Sequence, residues 1–253
     1  MQTELKTKLL NEFTDYSKRR MLKLLNECTM VINEYYKEMQ SKINYAAVAE
    51  TELKATQKVF AAIGVEAAIP TSAAMKALVS DVLIEGSPAA AWWSKQAADT
   101  AFRFASQVRQ GVAQNETVAQ IVTRIVGSKK YGTPGIMDIS RRNAYSLVHT
   151  SIQQVSNDAR MATFQENADI LEGIEQVSTL DSHTTAICMA YSGQQWDMEY
   201  NPINGSSLPY NGGCPRHYNC RSVIVPLLIP LSKIAGVELP KRPEGTRASD
   251  LGQ

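Results

Sequence analysis

Hydrophobic residues in the first forty positions recur at three- and four-residue steps. Leu5, Leu9, Phe13, Tyr16, Leu24, Cys28, Val31, Tyr35 and Met39 carry the pattern, with Lys, Arg and Glu between them. This is the period of a helix with one apolar face, and it predicts a long amphipathic helix packed on another element or another subunit. A second helix is predicted over Tyr45–Ile63, ended by Gly64, and a third over Ala74–Ile84, stopped by Gly86. Ser87-Pro88 has the form of an N-cap with proline at the first helical position, opening the long run AAAWWSKQAADTAFRFASQVRQGVAQ. Asn115 stands where it would cap a short helix closed by Gly127. SKKYGTPG, Ser128 to Gly135, is rich in turn formers, and another long helix is predicted from about Ile139 to Ala168.

Beyond residue 170 the period changes. EGIEQVSTL, Glu172 to Leu180, alternates like a strand, and Asp181 or Ser182 is placed to cap a short helix reaching Cys188. Gly193 turns the chain into a short QQW strand, and an Asn-, Gly-, Pro- and Ser-rich stretch runs to Gly213. RSVIVPLL, Arg221 to Leu228, reads as a short β segment ended by proline. The predicted class is α+β, predominantly helical, with a small C-terminal mixed α/β module that holds a Cys/His cluster. The expected domains are an N-terminal helical region over 1–86, a core over 87–230 and a flexible tail over 231–253 that lacks apolar anchors.

Composition narrows the function classes. The 253-residue chain is 44% hydrophobic and 20% charged, with a formal net charge of +1, so no global field draws it to nucleic acid or an anionic membrane. The start, MQTELKTKLLNEF, has no basic segment followed by an apolar one, so no signal peptide is expected. The longest apolar run, Val223 to Leu231, is interrupted by two prolines and is too short to span a bilayer. Four cysteines without a secretory signal point to a reducing compartment.

Three of those cysteines fall between Cys188 and Cys220, and the last two bracket His217 in CPRHYNC. Cys188, Cys214, His217 and Cys220 make a Cys3His set, a composition common in structural zinc sites, with His183 as a substitute ligand. Gly212-Gly213 gives the backbone freedom to bring them together. Two other readings stand beside it: thiols and imidazole that only pack a loop-rich module, or a Cys/His dyad with Asn219 as orienting group. No His-Glu-x-x-His, Gly-x-Ser-x-Gly or P-loop signature occurs. Lys129 and Lys130, in a Gly-containing loop, are candidates for phosphate contact. Arg141, Arg142, Arg160, Arg103 and Arg109 are candidates for a partner surface or phosphates. Trp92 and Trp93 cannot both face one core, which makes Trp92 a candidate interface anchor.

Three stretches carry residues of a shared family pattern. In AYSLVHTSIQQVSNDAR the matching residues are Val148, Thr150, Asn157, Ala159 and Arg160, while His149 and Ser151 replace the usual Arg and Glu. In VSTLDSHTTAIC they are Thr179, Leu180, Asp181, Thr184 and Cys188, with Thr185 where the first Cys often stands, followed by Gly193 and Trp196. In CPRHYNCRSVIVPL they are Pro215, His217, Asn219, Cys220, Arg221 and Pro226. Together they resemble the Mu F-like head morphogenesis family of phage minor head proteins, over about Phe102 to Leu228. The resemblance implies a structural virion component, not an enzyme, placed in the head near the portal vertex after assembly in the host cytoplasm. The implied partners are the portal protein, the major capsid protein and packaged DNA, with several copies around the portal and no membrane. The competing reading is a Cys/His-cluster hydrolase or nuclease, as in a phage-encoded toxin.

Overall fold

The computed structural model describes residues 1–12, 18–80, 82–128, 130 and 132–229. Phe13, Tyr16, Lys129 and the 231–253 tail lie outside the described residues. The chain forms a mostly helical N-terminal region and a smaller C-terminal mixed α/β module that contains a Cys/His cluster. Two compact units interleave along the sequence. The first takes Met1–Glu52, Thr71–Ala159 and Cys214–Arg221; the second takes Leu53–Pro70, Arg160–Gly213 and the chain from Ser222.

In the first unit, helices α1 (Gln2–Glu12) and α2 (Lys18–Ser41) carry the N-terminal stripe. Leu5, Leu9, Leu24 and Cys28 are buried as their spacing predicts. Farther along α2 the buried face runs through Leu25, Ile32 and Tyr36, whereas Tyr35 is 37% exposed. The face is thus offset by one residue from the Val31–Tyr35 reading, because either set satisfies a three-to-four period and only the partner helix chooses between them. That partner is α5 (Ala89–Ala113), which contributes Trp93, Phe104 and Val108. The Tyr36 hydroxyl lies 3.0 Å from Thr100 Oγ1, which donates to Ser140 Oγ at 3.1 Å. Three buried polar groups therefore satisfy one another inside the helical core.

Helix α3 spans Tyr45–Ala62 and α4 spans Ser72–Ser80. The helix expected to reach Ile84 stops earlier, and Ile84 enters a two-residue hairpin, β1 (Leu83–Ile84) paired with β2 (Ser87–Pro88). Glu85 and Gly86 both take positive φ there, so the turn chemistry overrides the helical pattern. Helix α6 (Val118–Val126) is capped by Thr117, not Asn115. Thr117 and Gln120 form a reciprocal capping box, and Asn115 sits in the left-handed region at φ 52°. Beyond the loop, α7 runs from Ile136 to Glu166.

The second unit is built on a three-stranded antiparallel sheet in the order β4-β3-β5, with β3 (Leu171–Val177) between β4 (Gln195–Trp196) and β5 (Val223–Leu228). The last strand ends at Leu228, as expected, and Pro226 lies within it opposite Ile174; on an edge strand a missing N–H can face away from the ladder. Ile174, Trp196 and Ile224 are fully buried, and Phe60 meets Phe164 edge-on at 6.3 Å. The Asn167 side chain accepts from the Ala68 N–H at 2.8 Å and donates to the Ala68 carbonyl at 2.9 Å, fixing the connection after α3. Among the described residues no helix is long and apolar enough to cross a membrane.

Candidate metal centre

The short helix α8 (Ala186–Tyr191) delivers Cys188. Its cap is Thr185, whose hydroxyl accepts the Cys188 N–H at 3.4 Å, so neither Asp181 nor Ser182 opens it. Asp181 instead folds the preceding turn: its carboxylate accepts the His183 N–H at 2.8 Å, and its own N–H donates to Thr184 Oγ1. Ser178, at the end of β3, donates to the Cys188 carbonyl at 3.0 Å and lies 2.8 Å from Ser222 Oγ. Its hydroxyl also receives the Gln176 amide at 3.2 Å. Residues 176, 178, 188 and 222 are all buried, so the backbone that carries Cys188 is tied to the strands by a satisfied polar network.

The other ligands come from the segment Cys214–Arg221. It begins after Gly213, at φ 73°, where an added Cβ would strike the Tyr210 hydroxyl and ring, so only glycine fits. Tyr210 is held in an aromatic ladder, stacked on Tyr200 at 4.5 Å and edge-on to Trp196 at 5.5 Å. The Cys220 N–H closes a turn onto the His217 carbonyl at 3.1 Å. Between them Asn219 takes φ 60°, a conformation that asparagine tolerates better than most residues. Its N–H donates to Thr150 Oγ1 at 3.1 Å and its side-chain amide to Ser146 Oγ at 2.8 Å, both on α7. The Tyr218 ring packs edge-on against Trp92 at 5.5 Å. Burial, with a contribution from the Glu85 carboxylate, pushes the Tyr218 phenol up to about 12.

Cys188, His217 and Cys220 each offer one ligand atom, and these atoms lie within 4.8 Å of one another. Ideal tetrahedral bonds of ~2.3 Å to sulfur place two thiolates roughly 3.8 Å apart, so a small inward rotation suffices to close on an ion. The donor set, two thiolates and an imidazole, suits zinc. The imidazole is also oriented: His217 Nδ1 lies 2.7 Å from the Tyr218 carbonyl oxygen, which can only accept. That contact puts the ring proton on Nδ1 and leaves Nε2 as the ligand nitrogen, the arrangement that second-sphere carbonyls impose on metal-bound histidines.

Of the four expected ligands, three converge. Cys214 is buried but stands outside this group, and His183 is exposed and does not substitute. The expectation of a protein that is not an enzyme is corrected by the same finding. Three converging ligands among the described residues match the ligand count of catalytic zinc sites, whereas closed structural staples use four. Trp92, expected as an outward anchor, is half-buried: it donates its indole N–H to the Ile84 carbonyl and braces Tyr218. Lys130, Arg141 and Arg142 are exposed, and Arg141 pairs with Asp138 at 3.2 Å. Thr150 and Asn219 could have been linked from their motifs. Nothing in the sequence pointed to Ser178 and Ser222 as partners across forty-four residues. No family model, no curated protein and no solved structure matches the chain.

Proposed function

We propose that this is a zinc protein in which Cys188, His217 and Cys220 hold the ion and the remaining coordination position serves hydrolysis, as in a Cys/His-cluster hydrolase or nuclease. The observation behind this reading is the three-ligand group itself, with Cys214 left out of it. Zinc in such a site lowers the pKa of its bound water to ~7 and so supplies a nucleophile at neutral pH. The protein's share is to orient His217 through the Tyr218 carbonyl and to hold Cys188 and Cys220 on braced backbone. The test is metal analysis and X-ray absorption on the purified full chain, with hydrolysis of bis(p-nitrophenyl) phosphate, p-nitrophenyl acetate and single-stranded DNA. The reading expects stoichiometric zinc with two sulfur and two lighter ligands, and a turnover lost in His217→Ala and on chelation. Three sulfur ligands with no turnover would overturn it.

A second reading, a phage head component that docks at the portal, rests on a separate observation. Residues from two of the three stretches that carry the family resemblance serve as structural braces: Asn219 bonds Thr150, and the Arg160 guanidinium donates to the Ile224 carbonyl in the VIVPL strand. Co-purification with the portal protein, and the position of the chain in assembled heads, test it. Free chain in the soluble fraction, with heads assembling normally in its absence, would overturn it.

A further inference from the structure

The first unit holds two adjoining cavities that share Gln2 and Arg141 as walls. The first, about 380 Å³, is lined by Tyr35, Tyr36, Met39, Met137, Tyr145 and Val148. The second, about 580 Å³ and shallower, is bordered by the loop residues Ser128 and Thr133 and by Arg141 and Arg142. One side is apolar; the other offers hydroxyls, two guanidinium groups and the Asp138 carboxylate, which pairs with Arg141 and leaves Arg142 as the excess positive charge of the lining.

The apolar hollow opens to the surface, and its lining gives water few partners. A hollow of several hundred cubic ångströms with such a lining is the size of a ligand pocket. Its walls are fixed from behind. The Tyr36 hydroxyl is spent on Thr100, its ring leans on Trp93 at 6.1 Å, and Tyr145 stacks on His149 at 6.4 Å. Met39 and Met137 are the adaptable parts, since unbranched thioethers reshape to fit an occupant. The polar hollow is equally built. Ser128 and Thr133 bridge each other, and Gly135 passes so close to Gly127 that any side chain there would collide with backbone. The Gly135 N–H is tied to Asp138, which also receives Arg141.

We propose that this pair of cavities binds an anionic amphiphile, with its apolar chain among Tyr35, Met39, Met137 and Val148 and its head group at Arg141 and Arg142. Charge complementarity selects the occupant: the guanidinium that closes the apolar cavity also opens onto the hydroxyl-lined hollow, and planar guanidinium groups grip carboxylate and phosphate in two-pronged fashion. The site is independent of the metal centre and uses none of its ligands.

Calorimetric titration of the full chain with decyl phosphate, decanoate, decanol and inorganic phosphate tests the proposal, together with co-flotation on phosphatidylglycerol vesicles. Decyl phosphate and decanoate should bind saturably at one site, with decanol and inorganic phosphate at least tenfold weaker. Arg141→Gln with Arg142→Gln, both at exposed positions, should weaken decyl phosphate about tenfold and leave decanol unchanged, with the helical circular dichroism intact. Val148→Trp, which fills the apolar cavity, should weaken all three ten-carbon probes together. Equal binding of decanol and decyl phosphate would overturn the proposal, as would arginine variants within twofold of the parent. Flotation on vesicles without binding of the monomeric probes would overturn it too, and would assign the arginines to a membrane surface.

Discussion

Replacing Thr150 by valine removes one oxygen atom and keeps the side chain's shape. Thr150 is 1% exposed, and its hydroxyl donates to the Ser146 carbonyl at 2.7 Å while accepting the Asn219 N–H at 3.1 Å. The first bond is a back-bond within α7, worth little to stability. The second links that hydroxyl to the loop that carries His217 and Cys220. A net hydrogen bond contributes about 1 kcal/mol, and a donor left without a partner costs about 1–3 kcal/mol. The loop has a second tie, Asn219 Nδ2 to Ser146 Oγ, so it is loosened and not released. The cost should therefore fall at the lower end, about 1–2 kcal/mol. Loss of groups that orient metal ligands typically weakens metal affinity by ~10–100-fold. Urea unfolding with and without chelator, and zinc competition against a chromophoric chelator, measure the two effects separately. Thr150→Val should lower zinc affinity about tenfold, and zinc should then rescue the variant by about 1.4 kcal/mol less than the parent at equal free zinc. If affinity stays within twofold while stability falls equally in both conditions, Thr150 merely packs, and the account of how the loop is held is wrong.

Other outcomes follow from the same geometry. Cys220→Ser should abolish stoichiometric zinc, whereas Cys214→Ser should retain it, as read by metal analysis after gel filtration; equal loss in both would return Cys214 to the ligand set. Burial raises the Asp158 carboxyl above its usual value, against a smaller opposing effect of the Gln154 amide. A raised carboxyl pKa contributes stability below its unfolded value and loses it as pH rises through the folded one. Asp158→Asn should accordingly stabilise the protein at neutral pH, with the gain fading in acid below the ordinary carboxylate range; a gain that persists there would refute the burial explanation. Thr117→Ala should cost ~1 kcal/mol in urea unfolding by breaking the capping box with Gln120, with Thr117→Ser recovering most of it.

Element identity was legible wherever one signal ran unopposed. The 3.6-residue period exposed the helices, alternation found β3, and the Gly-Gly pair marked the approach to Cys214. The errors have common physical sources. Asn115 and Thr117 are both capping residues two positions apart, and only the reciprocal bond with Gln120 selects the second. Ile84 fits a helix by period, but the Glu85-Gly86 turn claims it for a hairpin. The candidate site was legible as a ligand list and not as a geometry. Cys214 and Cys220 are equally spaced about His217, and convergence with Cys188 is decided by the Asn219 turn and the Ser178–Ser222 network, which no spacing encodes.

The aromatic ladder has an optical consequence. Of the three tryptophans, Trp196 belongs to the sheet unit, while Trp92 and Trp93 belong to the helical one. Trp196 is fully buried, donates its indole N–H to the Leu208 carbonyl at 2.8 Å, and is flanked by Tyr191 at 6.2 Å and Tyr210 at 5.5 Å. Excited tyrosines this close pass their energy to the indole, so light absorbed by the ladder emerges from a single residue. A chain whose other two indoles are replaced by phenylalanine thus carries its own fluorophore for the sheet unit, and its emission follows the melting of that unit alone.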